Sequence, residues 1–429
     1  MPASALVSER DQLVGSSQVV PRTIRKVLPS LDVPRLVGSF HIVFFHFLSR
    51  PSEGLGPGAA WGTSWVSFFF ALSGFGAAHS KLSSSGVRAC STGRWLPEAR
   101  TLMRRLLSVY PTYVFAFMLA LLQAYLPQPL GRGLELRPFN VVAQIIELLM
   151  LQTWFPSHWF TFTMYWYYSK VTYEVEMQFE PVSVNMPDWF VSALTATWLL
   201  ENVTVRLASL ACVHAGAGRP PWLGVVAVLL FVVAWPFALF KYPWMQPLHV
   251  PEISALAYLH MPMCGAMLAA WLHSRAEAGL PSFGLWITSL ASATLAAVFC
   301  LDVRWLGGDG LSLSNWTHRI GALLPLQCAL IAGLADAPHD PLNNWLEARP
   351  ALAKASRELA LGVYLLQAPL CAWFKSLLKA LMPSRWFTPH QFSTQYVLLL
   401  CGLLSLASYG TQRLVQKPIG SWLTSRLLY

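Results

Sequence analysis

Apolar runs separated by short polar or basic segments recur along the whole chain. Those long enough to cross a bilayer, at about 20 residues per crossing, fall at 33–49, 61–80, 106–126, 139–155, 189–213, 221–240, 253–273, 283–301, 318–335, 359–379 and 395–414. These eleven candidates predict an all-α, polytopic transmembrane helical bundle of about ten spans, with nine to eleven as the range. Runs 33–49 and 139–155 are short, and the second of them carries Glu147. Between the second and third runs, Lys81, Arg88, Arg94, Arg100, Arg104 and Arg105 stand against the single acid Glu98. Positively charged connections stay on the cytoplasmic side, so the N-terminal tail and residues 81–105 are expected there. Arg413, Lys417 and Arg426 put the C-terminal tail on the same side and favour an even number of spans.

The expected organisation is a disordered cytoplasmic tail over 1–30, one transmembrane domain over 31–423 and a short tail over 424–429, with no fused soluble domain. No leader sequence is expected in the mixed polar stretch 1–30. An aromatic-rich segment at 156–188, carrying Glu174, Glu176, Glu180 and Asp188, reads as an interfacial cap, and 302–317 as a turn-rich loop. No repeat of fixed period is present, which excludes a solenoid.

Composition supports the membrane reading. The 429 residues are 55% hydrophobic and 12% charged, against about 25% charged in soluble domains. The 19 Trp and 13 Tyr suit the headgroup belts of a bilayer, the expected partner of the chain. A net charge of +10 raises nucleic acid as a partner, but the basic residues punctuate apolar runs instead of forming one soluble face, and no nucleic acid is expected. Seven cysteines lie mostly inside apolar runs without a CxxC pair. They read as core residues, and no metal site is expected.

The stretch from Arg35 to His46 carries the most chemistry. Ten residues separate the two, about three helical turns, so both lie on nearly one face, roughly 16 Å apart along the axis. Ionisable groups at bilayer depth are costly and point to function. His46 can take a proton from a hydroxyl as general base, or it can be a bundle histidine satisfied by a carbonyl. His41 lies on another face. Arg35 can grip a phosphate or carboxylate through its planar fork, or snorkel to the interface. Ser39 shares its face and can donate to a ligand or to its own backbone. Ser73 and Gly74 allow close helix approach. Arg104 and Arg105 fit either cofactor phosphates or positive-inside anchoring. Glu147, Glu201 and Arg206 read as charges paired within the bundle. Asn202-Val-Thr204 and Asn315-Trp-Thr317 are sequons without a known compartment.

In order along the chain, these phrases resemble the acyltransferase 3 family of integral membrane O-acyltransferases. The resemblance is carried by Arg35-x10-His46 and by the FF-x-LSGF phrase of Phe69, Phe70, Leu72, Ser73, Gly74 and Phe75. It continues through Arg104, Arg105, Tyr110 and Pro111, then Asn185, Trp189 and Ser192, then Pro262 and Gly265. It ends in Leu361–Pro369, with Tyr364 and Gln367, and in Gln416-Lys-Pro418. Departures from the family pattern are Ser108 in place of a second arginine, Leu194 in place of a glutamate and Gln367 in place of a common histidine.

The resemblance implies an enzyme that moves an acyl group, acetyl above all, from acyl-CoA to a hydroxyl of a carbohydrate, lipid or small metabolite. It implies acyl-CoA as co-substrate and no permanently bound cofactor. It also implies His46 as the base, Arg35, Arg104 and Arg105 on the donor, and Ser39, Ser73, Gly74, Trp189, Ser192, Tyr364 and Gln367 lining the site. A proton-linked transporter or flippase using Arg35 and His46 is the alternative, with no paired halves of interrupted helices in its favour. An unrelated class of membrane acyltransferase carries its essential histidine in a late apolar helix, and here His390 lies in a polar Thr-Pro-His-Gln stretch. The expected location is the plasma membrane or an endomembrane.

Overall fold

A computed structural model describes residues 24, 27–48, 56–126, 138–154, 188–228, 230, 258–300, 321–336, 341–381 and 394–428. Most of the expected N-terminal tail, the aromatic-rich connection with Asn185, the loop 302–317 with Asn315, and His390 lie outside the described residues. Within them the architecture is all-α. The helices are α1 Asp32–Phe47, α2 Trp65–Ser91, α3 Ala99–Leu107, α4 Tyr110–Tyr125, α5 Pro138–Leu148, α6 Asp188–Leu199, α7 Glu201–Ala215, α8 His260–Glu277, α9 Leu285–Cys300, α10 Leu324–Asp336, α11 Pro341–Glu347, α12 Pro350–Leu381, α13 Thr394–Thr411 and α14 Lys417–Leu427.

Among the described residues two helices are long and apolar enough to cross a membrane, Pro350–Leu378 and Thr394–Leu427. A third span results if α3 and α4, bent by 45° at their joint, count as one. Three shorter apolar helices accompany them: Trp189–Leu199, α9 and α10.

Several boundaries differ from the sequence expectation, each for a local reason. The run 189–213 is two helices, because Glu201 cannot sit unpaired in an apolar segment and instead starts α7, where a carboxylate favours the helix dipole. The run 106–126 begins at the α3–α4 joint, where Tyr110-Pro111 opens a new helix with proline in its first turn. The last run does not stop at 414. A wide turn at Gln412–Gln416 carries the helix on through α14, so the region near 424 is still helical.

The core is the crossing of α2 with α8. A Cβ on Gly74 would sit 2.0 Å from the Pro262 carbonyl oxygen, and one on Gly265 would sit 1.9 Å from that of Ala71. Glycine at both positions is what lets the two backbones touch. Around the crossing, Phe68, Phe70 and Phe75 are fully buried. The start of α1 is fixed by Asn343 of α11, whose Oδ1 accepts the Ser30 amide at 3.0 Å.

Helices α1 and α12 lie side by side and run parallel. Asp32 near the start of α1 pairs with Arg357 near the start of α12, and His46 near the end of α1 meets Gln367 further along α12. The two stretches span about 21 and 15 Å at 1.5 Å per residue, and the long Arg357 side chain takes up the difference.

Candidate active site on the α1–α12 seam

At one end of the seam, Nδ1 of His46 lies 3.1 Å from Oε1 of Gln367. The other half of that amide is committed, since Nε2 of Gln367 donates to the Tyr364 carbonyl at 2.9 Å. The oxygen therefore faces the imidazole, and Nδ1 of His46 must carry the hydrogen. This fixes the tautomer and leaves the Nε2 lone pair unused by any described residue, which is the state a general base needs. Gln367 is fully buried. Pro369, two residues on, removes one backbone donor from α12.

Behind this pair stands an aromatic wall. Tyr364 packs edge-on against Phe190 at 5.2 Å and Phe69 at 6.2 Å between ring centroids. Phe190 in turn meets Phe70 at 4.8 Å and Trp189 at 6.2 Å. Trp189 and Tyr364, distant in sequence, thus belong to one cluster with the LSGF-type helix.

At the other end of the seam the Asp32 carboxylate holds two guanidinium groups. Arg35 Nη1 donates to Oδ1 at 2.7 Å, while Arg357 Nε and Nη2 both reach Oδ2, at 2.9 and 2.8 Å. Lys417 pairs with the neighbouring Glu358 at 3.0 Å. Neither Asp32 nor Arg357 stands out in the sequence. Asp32 lies one turn before Arg35, whereas Arg357 lies 322 positions downstream of Arg35 and only folding joins them.

The basic motif forms a separate cluster. Arg105 Nε and Lys81 Nζ bracket the buried Glu201 carboxylate at 2.8 and 2.9 Å. Arg104 is exposed on α3. Arg35 and Arg105 thus bind different carboxylates. Arg206 does not pair with Glu201. It donates to the Gly93 carbonyl at 2.8 Å and lies 4.0 Å over the Trp95 ring. Asn202 hydrogen-bonds Lys81 through its side-chain oxygen.

Of the remaining expected lining residues, Ser39, Ser192 and Gly74 are engaged in the fold. Ser39 Oγ donates to the Arg35 carbonyl of its own helix at 3.0 Å. Ser192 Oγ donates to the Met150 carbonyl at 2.7 Å and contacts Thr153 Oγ1 at 2.7 Å. It thereby holds a turn in which Met150 has φ 57°, an uncommon left-handed conformation for a residue with a side chain. Gly74 is the helix contact described above, and Ser73 beside it is half-buried.

Gln416 has a role that sequence reading missed. Its Oε1 accepts from the Thr112 amide and hydroxyl at 3.1 and 2.9 Å, and its Nε2 donates to the Leu107 and Ser108 carbonyls at 3.1 and 3.0 Å. One amide therefore ties the last carbonyls of α3 to the first turn of α4 and pins the bend between them. A carboxylate could accept from Thr112 but could not donate to the two carbonyls.

A family model described as an acyltransferase domain matches residues 28–411. The match covers both ends of the α1–α12 seam and stops just before Gln416. No curated protein and no solved structure matches the chain.

Proposed function

The chain belongs to the acyltransferase 3 family, a membrane-associated acyltransferase by that membership, and from this premise we propose that it moves an acyl group from acyl-CoA to a hydroxyl. The donor group is acetyl and the acceptor a carbohydrate or another small hydroxyl compound, as the family resemblance implies. The bundle crosses the membrane about ten times, with the Asp32 end of the seam towards the cytoplasm and the supply of acyl-CoA.

The observation that carries the reading is the His46–Gln367 contact. Nε2 of His46 accepts the proton of the acceptor hydroxyl as that oxygen attacks the thioester carbon. The Gln367 oxygen holds Nδ1–H and stabilises the imidazolium as it forms. Collapse of the tetrahedral intermediate breaks the carbon–sulfur bond, and the proton on His46 passes to the departing thiolate. The products are an ester and free CoA thiol. Arg35 acts on the donor side, as does Arg104, exposed on α3, with Arg105 beside it.

The test is turnover by purified protein with labelled acetyl-CoA and a panel of hydroxyl compounds. Wild type is expected to give a labelled ester and His46→Ala none, with both proteins equally folded. Full acyl transfer by His46→Ala would sink the mechanism. Transport of solute without any ester would replace the enzyme by a transporter.

A further inference from the structure

The Asp32 end of the seam holds more positive charge than its carboxylate neutralises. Asp32 is 4% exposed, while the side chains of Arg35 and Arg357 are 34% and 54% exposed. Arg357 uses Nε and Nη2 on Asp32 and keeps both Nη1 hydrogens; Arg35 uses Nη1 and keeps Nε and Nη2, counting the described residues. One carboxylate thus orients two guanidinium groups; each presents a remaining edge, and the three side chains together keep one net positive charge. Planar forks held in this way suit the oxygens of a phosphate.

The sequence departs from its family where a second donor-side arginine is common, at Ser108. The Ser108 carbonyl is held by Gln416, Lys417 follows Gln416 and pairs with Glu358, and Glu358 follows Arg357. A chain of contacts thus links the α3–α4 joint at Ser108 to the turn of α12 that carries Arg357. From Arg35 to His46 is roughly 16 Å along α1, comparable with the arm that separates the diphosphate of coenzyme A from its sulfur.

We infer that Arg357, together with Arg35, forms the phosphate cradle for the donor, with Asp32 as the residue that positions both. The inference rests on the acyl-CoA reading above.

Calorimetric binding to the full-length protein tests it, with coenzyme A and phosphate-free pantetheine as the two probes. Arg357→Ala is expected to weaken coenzyme A by about ten- to a hundredfold, the range of one lost charge-assisted contact, and to leave pantetheine unchanged. Arg357→Lys, which keeps the charge without the fork, should fall between and serves if the alanine variant does not fold. Asp32→Asn decides between cradle and clamp. Asp32→Asn loosens both guanidinium groups without removing either charge, so it should weaken coenzyme A less than Arg357→Ala does and leave pantetheine unchanged, whereas a purely structural clamp predicts the same loss from Asp32→Asn as from Arg357→Ala.

Coenzyme A affinity unchanged in Arg357→Ala, equal losses in the two variants, or wild type binding pantetheine as tightly as coenzyme A each overturns the cradle. Coenzyme A binding that depends on Arg357, in a protein that makes no ester from any hydroxyl compound, leaves the cradle standing and removes the O-acyl transfer reading instead. Ester formation by Arg357→Ala with an unchanged KM for acetyl-CoA removes the cradle alone.

Discussion

Helix α1 carries two histidines five residues apart, His41 and His46, in surroundings that differ in one decisive respect. His41 has both ring nitrogens engaged. Its Nδ1 accepts the Trp65 indole N–H at 2.8 Å, so its Nε2 carries the hydrogen and donates to the Gly58 carbonyl at 2.7 Å. His46 has the opposite tautomer, with Nδ1 donating to Gln367 and Nε2 left with its lone pair. The first is a fastener between α1 and the turn that precedes α2. The second keeps one ring nitrogen open among the described residues, as the proposed base requires. The partners, not the residue type or its depth, distinguish the two imidazoles.

The sharpest way to break this contrast is to remove each ring in turn. His46→Ala should cut acyl transfer by about 10²- to 10⁴-fold while its melting temperature stays near that of wild type, measured on the same preparation. His41→Ala should do the reverse. It leaves a buried indole N–H and a carbonyl unpaired and empties a ring-sized space, so about 2–4 kcal/mol of stability is lost, seen as an earlier melting transition. Folded His41→Ala should keep most of its turnover per molecule. A variant pair with the two outcomes exchanged would reverse the assignment.

A smaller effect should follow from releasing the tautomer. Gln367→Ala removes the acceptor for Nδ1–H, and kcat is expected to drop by about tenfold, less than on loss of the base itself. Gln367→His should recover much of that drop, because a neutral imidazole can also accept from Nδ1–H. Steady-state kinetics on the three proteins makes the comparison. Smallest is Trp65→Phe, which frees His41 Nδ1 without deleting the ring. A loss of about 1 kcal/mol is expected, with kcat unaltered.

How much was legible in advance varied with the range of the interaction. The Arg35–His46 stripe follows from helical periodicity alone, as does the close approach at Gly74, where a small residue sits in an aromatic run. The Gln367 phrase could be noticed, but its partner could not, since His46 lies 321 positions away. Ser192 was grouped with the lining residues because it shares a phrase with Trp189. In the fold the two side chains part, Trp189 joining the aromatic wall and Ser192 holding the Met150 turn. Glu201 and Arg206, near neighbours on one helix, find partners on other segments, because a buried carboxylate is better satisfied by two cations than by one misaligned arginine five residues away.

The sequence by itself determined that this chain is helical, membrane-associated and built on the order of motifs that mark its family, because hydropathy and helical period are local properties of the chain. It also singled out His46 as a polar residue in costly surroundings. Only the tertiary structure decided which nitrogen of His46 is left without a partner among the described residues, which carboxylate each arginine serves, and that Arg357 stands beside Arg35. Those outcomes depend on parallel packing of α1 against α12, and hydrogen bonds between helices remote in sequence leave no periodic trace in either one.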